Sequence, residues 1–84
     1  MIKSAAGTIT IDLHGMSVYQ AQVAIDAALR RAGRATYRIK LIHGYHSGSA
    51  LRDMIRKTYA KHPKVIRLER GLNMGTTELV LREY

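Results

Sequence analysis

A two-layer α/β fold with elements in the order β-α-β-α-β-β is what this sequence predicts. Segments that alternate apolar and polar residues read as strands, and two longer segments with apolar residues at helical spacing fall between them. Each strand carries apolar side chains on one side only, so helices should cover one sheet face and leave the other to solvent.

Thr8 to Leu13 opens the pattern, with Ile9, Ile11 and Leu13 on one side and Thr8, Thr10 and Asp12 on the other. A helix follows, because Ser17 with Gln20 three residues on makes a capping box. Val18, Ala21, Ile25, Ala28, Leu29 and Ala32 then recur at helical spacing. Arg30, Arg31 and Gly33 should close it, the cations suiting the carbonyl end and the glycine a left-handed terminating residue. Tyr37 to Ile42 reads as the second strand, with Ile39 and Leu41 inward and Arg38 and Lys40 outward. The second helix is expected from about Ser49 to Lys61, with Leu51, Met54, Ile55, Thr58 and Tyr59 on one stripe, and Pro63 forbids its continuation. Val65 to Arg70 and Thr77 to Arg82 form a hairpin across the Gly71 to Thr76 link. Right-handed crossovers make the first three strands parallel and leave the last antiparallel.

The 84 residues suffice for a single domain, 1–84, and for one thin core without Phe or Trp. No cysteine is present, which excludes disulfides and thiolate zinc sites and fits a cytoplasmic location. No signal peptide or membrane-spanning run is evident. The formal charge of +8 is spread along the chain, with six cations against two acids in residues 1–42 and eight against four in the rest. Such a field on a small body attracts polyanions, with nucleic acid the expected partner and no membrane association expected.

One unit recurs. Leu13-His14-Gly15-Met16-Ser17 and Ile42-His43-Gly44-Tyr45-His46-Ser47 each join a strand to a helix through an apolar residue, His, Gly and a later Ser. Both junctions fall at the C-terminal edge of parallel strands, where open α/β sheets place ligands and helix N-termini favour anions. Neither is a nucleoside-triphosphate loop, which needs Lys-Ser or Lys-Thr after its last glycine. The expected ligand is a backbone phosphate, held by Gly15, Gly44, Ser47, Gly48 and the helix start to Ser49, with Arg38, Lys40, Arg67 and Arg82 carrying the flanking strand. Tyr45 could stack on an unpaired base, and His46 counts among the candidate phosphate-binding residues.

Asp12 and His14 are two apart on a strand, so their side chains leave the same face with Cα atoms about 6.5–7 Å apart. The carboxylate can orient or charge the imidazole. With His43 ending the adjacent strand, the expectation is an acid–base pair flanking one phosphate, able to cleave a phosphodiester with RNA the easier substrate. His62 is read as structural. The residues imply no cofactor firmly. Mg²⁺ stays open, although the acids are too scattered for a two-metal nuclease, and a zinc site from His14, His43 and His46 is disfavoured.

Ile11-Asp12-Leu13-His14-Gly15 before a capped helix, then Ile42-His43-Gly44 before a second helix, then Asn73-x-Gly75-x-Thr77-x-Leu79-x-Leu81, resemble the Smr (small MutS-related) domain over about residues 8 to 82. The resemblance implies a mixed four-stranded sheet of order 1-2-4-3 with two helices on one face, similar to the C-terminal domain of translation initiation factor three. It implies DNA or RNA binding and a hydrolase activity, endonucleolytic nicking or RNA cleavage, in Asp12, His14, Gly15, His43 and Gly44. The alternative is a binding module without chemistry, associated with ribosomes, structured RNA, branched DNA or DNA repair. The second motif departs from the family pattern, which has another glycine two places on; His46 stands there and Gly48 comes later.

Overall fold

The computed structural model describes residues 2–44, 49–71 and 73–83. Seven elements follow in order: β1 (Ile2–Ala5), β2 (Thr8–Asp12), α1 (Val18–Arg31), β3 (Arg38–Ile42), α2 (Ala50–Tyr59), β4 (Arg67–Arg70) and β5 (Thr76–Val80). Strands β2, β3, β5 and β4 lie side by side, which is the expected four-strand order of 1-2-4-3. β2 and β3 are parallel, and β5 runs antiparallel to both β3 and β4.

The fifth strand, β1, was not expected from the sequence. It pairs antiparallel with β2, with Ala5 opposite Thr8, so only Ala6 and Gly7 form the turn. Both have positive φ, 50° and 85°, the signature of the tight I′ hairpin turn that follows strand twist. That turn usually carries Asn-Gly or Asp-Gly, and the Ala-Gly pair conceals it.

Helix α1 begins as expected. Ser17 Oγ accepts from the Gln20 amide at 3.1 Å, and Gln20 Oε1 accepts from the Ser17 amide at 2.9 Å. Its end differs: Ala32 adopts an extended conformation while its N–H still bonds the Ala28 carbonyl, and Gly33 is not left-handed. The chain turns towards β3 without needing a terminating glycine. Helix α2 is shorter than expected and leaves Thr58 exposed.

Ile11, Leu13, Ile39, Leu41 and Leu79 from the sheet meet Ala21, Ile25, Ala28 and Leu29 of α1 and Leu51, Met54, Ile55 and Tyr59 of α2 in one cluster. Burying each large aliphatic side chain contributes roughly 1.5–3 kcal/mol before the entropy of ordering is subtracted. Tyr59 ties the helices together, its hydroxyl donating to Asp26 Oδ1 at 2.7 Å.

The opposite sheet face is less open than expected. Val80 is fully buried yet stands outside the core cluster, with Arg38 and Arg67 as its register partners on either side. Arg38 donates to Glu69 at 2.7 Å and to Glu78 at 3.0 Å, and Arg67 pairs with Glu69 and Glu83. A network of charges thus lies along the strands that flank Val80.

Candidate functional site

The two His-Gly loops meet at one rim of the sheet. The parallel ladder continues past β2, with the Leu13 amide donating to the Ile42 carbonyl at 2.7 Å. A Cβ placed on Gly44 would lie 3.7 Å from His14 Cβ. Gly15, Met16, Ser17 and Val18 from the first loop and α1 line one cleft of about 270 Å³ with His43, Ala50 and Leu51. The starts of both helices therefore border the same hollow.

Backbone conformation explains both glycines. The Met16 amide bonds the Leu13 carbonyl at 3.0 Å, closing a turn whose third residue is Gly15 at φ 82°, the conformation that a type II turn requires. Gly44 has φ 76°. No atom crowds a Cβ at Gly15, so the constraint there is the left-handed backbone and not lack of space.

Asp12 and His14 form a tight pair on this rim, with Asp12 Oδ1 2.6 Å from His14 Nδ1 and 3.2 Å from the His14 amide. The side-chain hydrogen bond from His14, reinforced by the backbone one, holds the Asp12 carboxyl below the usual carboxylate range. An ionised carboxylate only accepts, so Nδ1 carries the proton in this bond. Nε2 has no partner among the described residues, and the His14 side chain is 73% exposed. The result is an oriented imidazole presenting one ring nitrogen to solvent.

His43 is arranged differently, and here the expectation of an acid–base pair is corrected. The residue is 3% exposed and both ring nitrogens are engaged. Nδ1 donates to the Gly44 carbonyl at 2.8 Å, and Nε2 shares a 2.9 Å hydrogen bond with Thr77 Oγ1. The strand period is the cause: His43 continues the inward series of Ile39 and Leu41, whereas His14 follows the outward side chain of Asp12. His43 therefore has no nitrogen free for a ligand. It fixes the second loop to β5, helped by its own amide and that of Gly44, both bonded to the Gly75 carbonyl at 2.9 and 3.0 Å. Sequence reading missed this third segment of the rim, although Asn73 signals it: its side chain accepts from the Gly75 amide at 2.8 Å and holds the link in shape.

The cations expected to carry a flanking strand are not at this rim. Arg38 and Arg67 stand at the opposite ends of β3 and β4, roughly 13 Å of strand away in the case of Arg38, and both are paired with glutamates. Arg82 lies beyond β5 at that far end, its amide bonding the Tyr37 carbonyl. Lys40 sits midway, between Thr10 and Glu78 in the register. Tyr45, His46, Ser47 and Gly48, expected to hold phosphate, lie outside the described residues. His62 acts structurally, its Nδ1 accepting from the Lys64 amide at 3.1 Å.

The donor set among the described residues does not fit a resident metal. Among the described residues no three His, Cys, Asp or Glu side chains are grouped to hold one, and the rim's single carboxylate, Asp12, already binds His14. No helix among them is long and apolar enough to cross a membrane.

A search of curated proteins finds no match. Among solved structures, the chain is similar to the Smr domain of Thermus thermophilus MutS2, with 30% sequence identity and a TM-score of 0.77. The match covers 88% of this chain and 98% of that one. The Smr domain family model matches residues 11–77, a span that takes in both His-Gly loops and the link between β4 and β5. Fold, motifs and match agree, and the chain belongs to the Smr domain family.

Proposed function

We propose that this domain binds nucleic acid at the His-Gly rim and cleaves its backbone as an endonuclease, with His14 as the base and Asp12 as its orienting partner. The observation that carries the reading is the 2.6 Å bond between Asp12 and His14 with the second ring nitrogen left open to solvent. Smr domains are known for nucleic-acid binding and nicking endonuclease activity, which agrees with the net charge of +8.

In this mechanism Nε2 of His14 takes a proton from the nucleophile, a 2′-hydroxyl in RNA or a water in DNA, while Asp12 stabilises the imidazolium that forms. The nucleophile's oxygen bonds to phosphorus, the ester bond to the leaving oxygen breaks, and that oxygen takes a proton from solvent. Amides of the two helix starts and glycine turns face the charge that develops on the phosphate. His43 supplies no proton and holds the Gly44 loop in place.

A second reading is a binding module without chemistry. It is favoured by one observation: His43, the nearest candidate for a second proton-transfer group, has both nitrogens committed. Labelled single-stranded RNA, duplex DNA and supercoiled plasmid, incubated with wild type and His14→Ala with and without chelator, decide between the two. The nuclease reading expects cleavage by wild type and none by His14→Ala at similar affinity. Binding with no cleavage of any substrate by wild type would establish the second reading.

A further inference from the structure

The charges are layered. The helices and the segments that follow them, residues 18–36 and 50–64, hold eight Lys and Arg against two acids, and the rest of the chain holds six against four. Pairing sharpens the difference. Glu69, Glu78 and Glu83 all neutralise arginines of the sheet. On α2, Arg52 has a neighbour in Asp53 at 3.6 Å, whose other oxygen accepts from Ser49 Oγ. Arg56, Lys57 and Lys61 are exposed and have no ion pair among the described residues.

Helix α2 also starts in the right place. Ala50 and Leu51 border the cleft shared with Gly15 and His43, so the helix leads directly away from the rim. Arg52 and Arg56 are one helical turn apart, about 6 Å along the axis, with Lys57 beside them and Lys61 in the turn just after the helix. A polymer with one phosphate at the cleft can follow this line and meet a cation at each turn. On the opposite face the guanidinium groups of Arg38 and Arg67 are already paired and would each have to give up a carboxylate first, which leaves Lys40 as a cation there without an ion pair among the described residues.

We propose that the outer face of α2, through Arg52, Arg56 and Lys57, with Lys61 in the turn that follows it, is the track that carries the nucleic-acid backbone away from the His-Gly rim. This inference rests on the nucleic-acid reading above and adds which face of the domain is used. Phosphodiester backbone is the chemistry recognised, common to RNA and DNA.

The test is binding of fluorescent single-stranded RNA and duplex DNA over a range of salt by wild type, Arg56→Glu/Lys57→Glu, and the sheet-face control Arg38→Ala/Arg67→Ala. Circular dichroism on each variant establishes that it is folded. For duplex DNA the α2 variant should lower the slope of log K against log salt by about 2, and weaken binding roughly tenfold or more at moderate salt. The sheet-face variant should keep the wild-type slope. Wild-type binding by the α2 variant, or losses confined to the sheet-face variant, would overturn the track and leave nucleic-acid binding standing. No salt-dependent binding by wild type, or binding only to anionic lipid vesicles, would overturn both.

Discussion

Two histidines with almost the same neighbours in sequence end up in opposite environments. His14 stands on an outward position and keeps one nitrogen open, while His43 stands on an inward position and loses both to Gly44 and Thr77. His43→Ala should leave the buried Thr77 hydroxyl and the Gly44 carbonyl without their partner, costing about 2–3 kcal/mol in urea denaturation. A loss below about 0.5 kcal/mol would show that His43 is not a clasp. The pair was legible in the sequence as a repeated motif, and the strand period could have separated them. Reading His43 by its sequence neighbours instead of by its side of β3 made it a catalytic partner. Residue Ala6 shows the reverse limit, since nothing in its identity announces a left-handed conformation. Ala6→Asn restores the pair that such turns prefer and should stabilise the domain by about 1 kcal/mol, a rise in Tm of roughly 4–8 °C. An unchanged or lower Tm would contradict the turn.

At the scale of elements, the helices were legible because capping and periodicity act locally. The Ser17–Gln20 box and the apolar stripes need no tertiary partner to be recognised. Strand β1 was not legible, since a four-residue edge strand gains its stability from pairing with β2 and carries little periodic signal of its own. What joins the helices is also a tertiary event, the Tyr59 hydroxyl on Asp26. Burial first, and then the bond to Asp26, holds the Tyr59 phenol above the usual tyrosine range. Tyr59→Phe should cost about 1.5 kcal/mol at pH 7. An acid whose pKa is higher folded than unfolded stabilises the fold fully below its unfolded value, about 10 for tyrosine, and loses that contribution as pH rises further. The gap in denaturation midpoint between wild type and Tyr59→Phe should therefore narrow from pH 10 upward. A gap that stays constant to pH 11 would mean the phenol is not held as described.

Across the whole molecule, the net charge was legible and its placement was not. Composition states that polyanions are attracted. The glutamates that cancel Arg38 come from strands distant in sequence and are brought beside it only by the β3-β5-β4 order, and Arg67 adds Glu83 from beyond β5 to Glu69 of its own strand. The same topology sets both His-Gly loops on one rim and lets α2 run from it. The proposed function thus concentrates on the rim and the helix layer, while the charges of the sheet face flank the buried Val80.

The most direct test of the whole account is the single-turnover cleavage rate of His14→Ala beside wild type, with imidazole then added to the variant. The rate should fall about 10²–10⁴-fold, the usual contribution of general-base catalysis, and recover in part with imidazole while binding stays unchanged. A variant that cleaves at the wild-type rate would remove His14 from the chemistry and contradict the account.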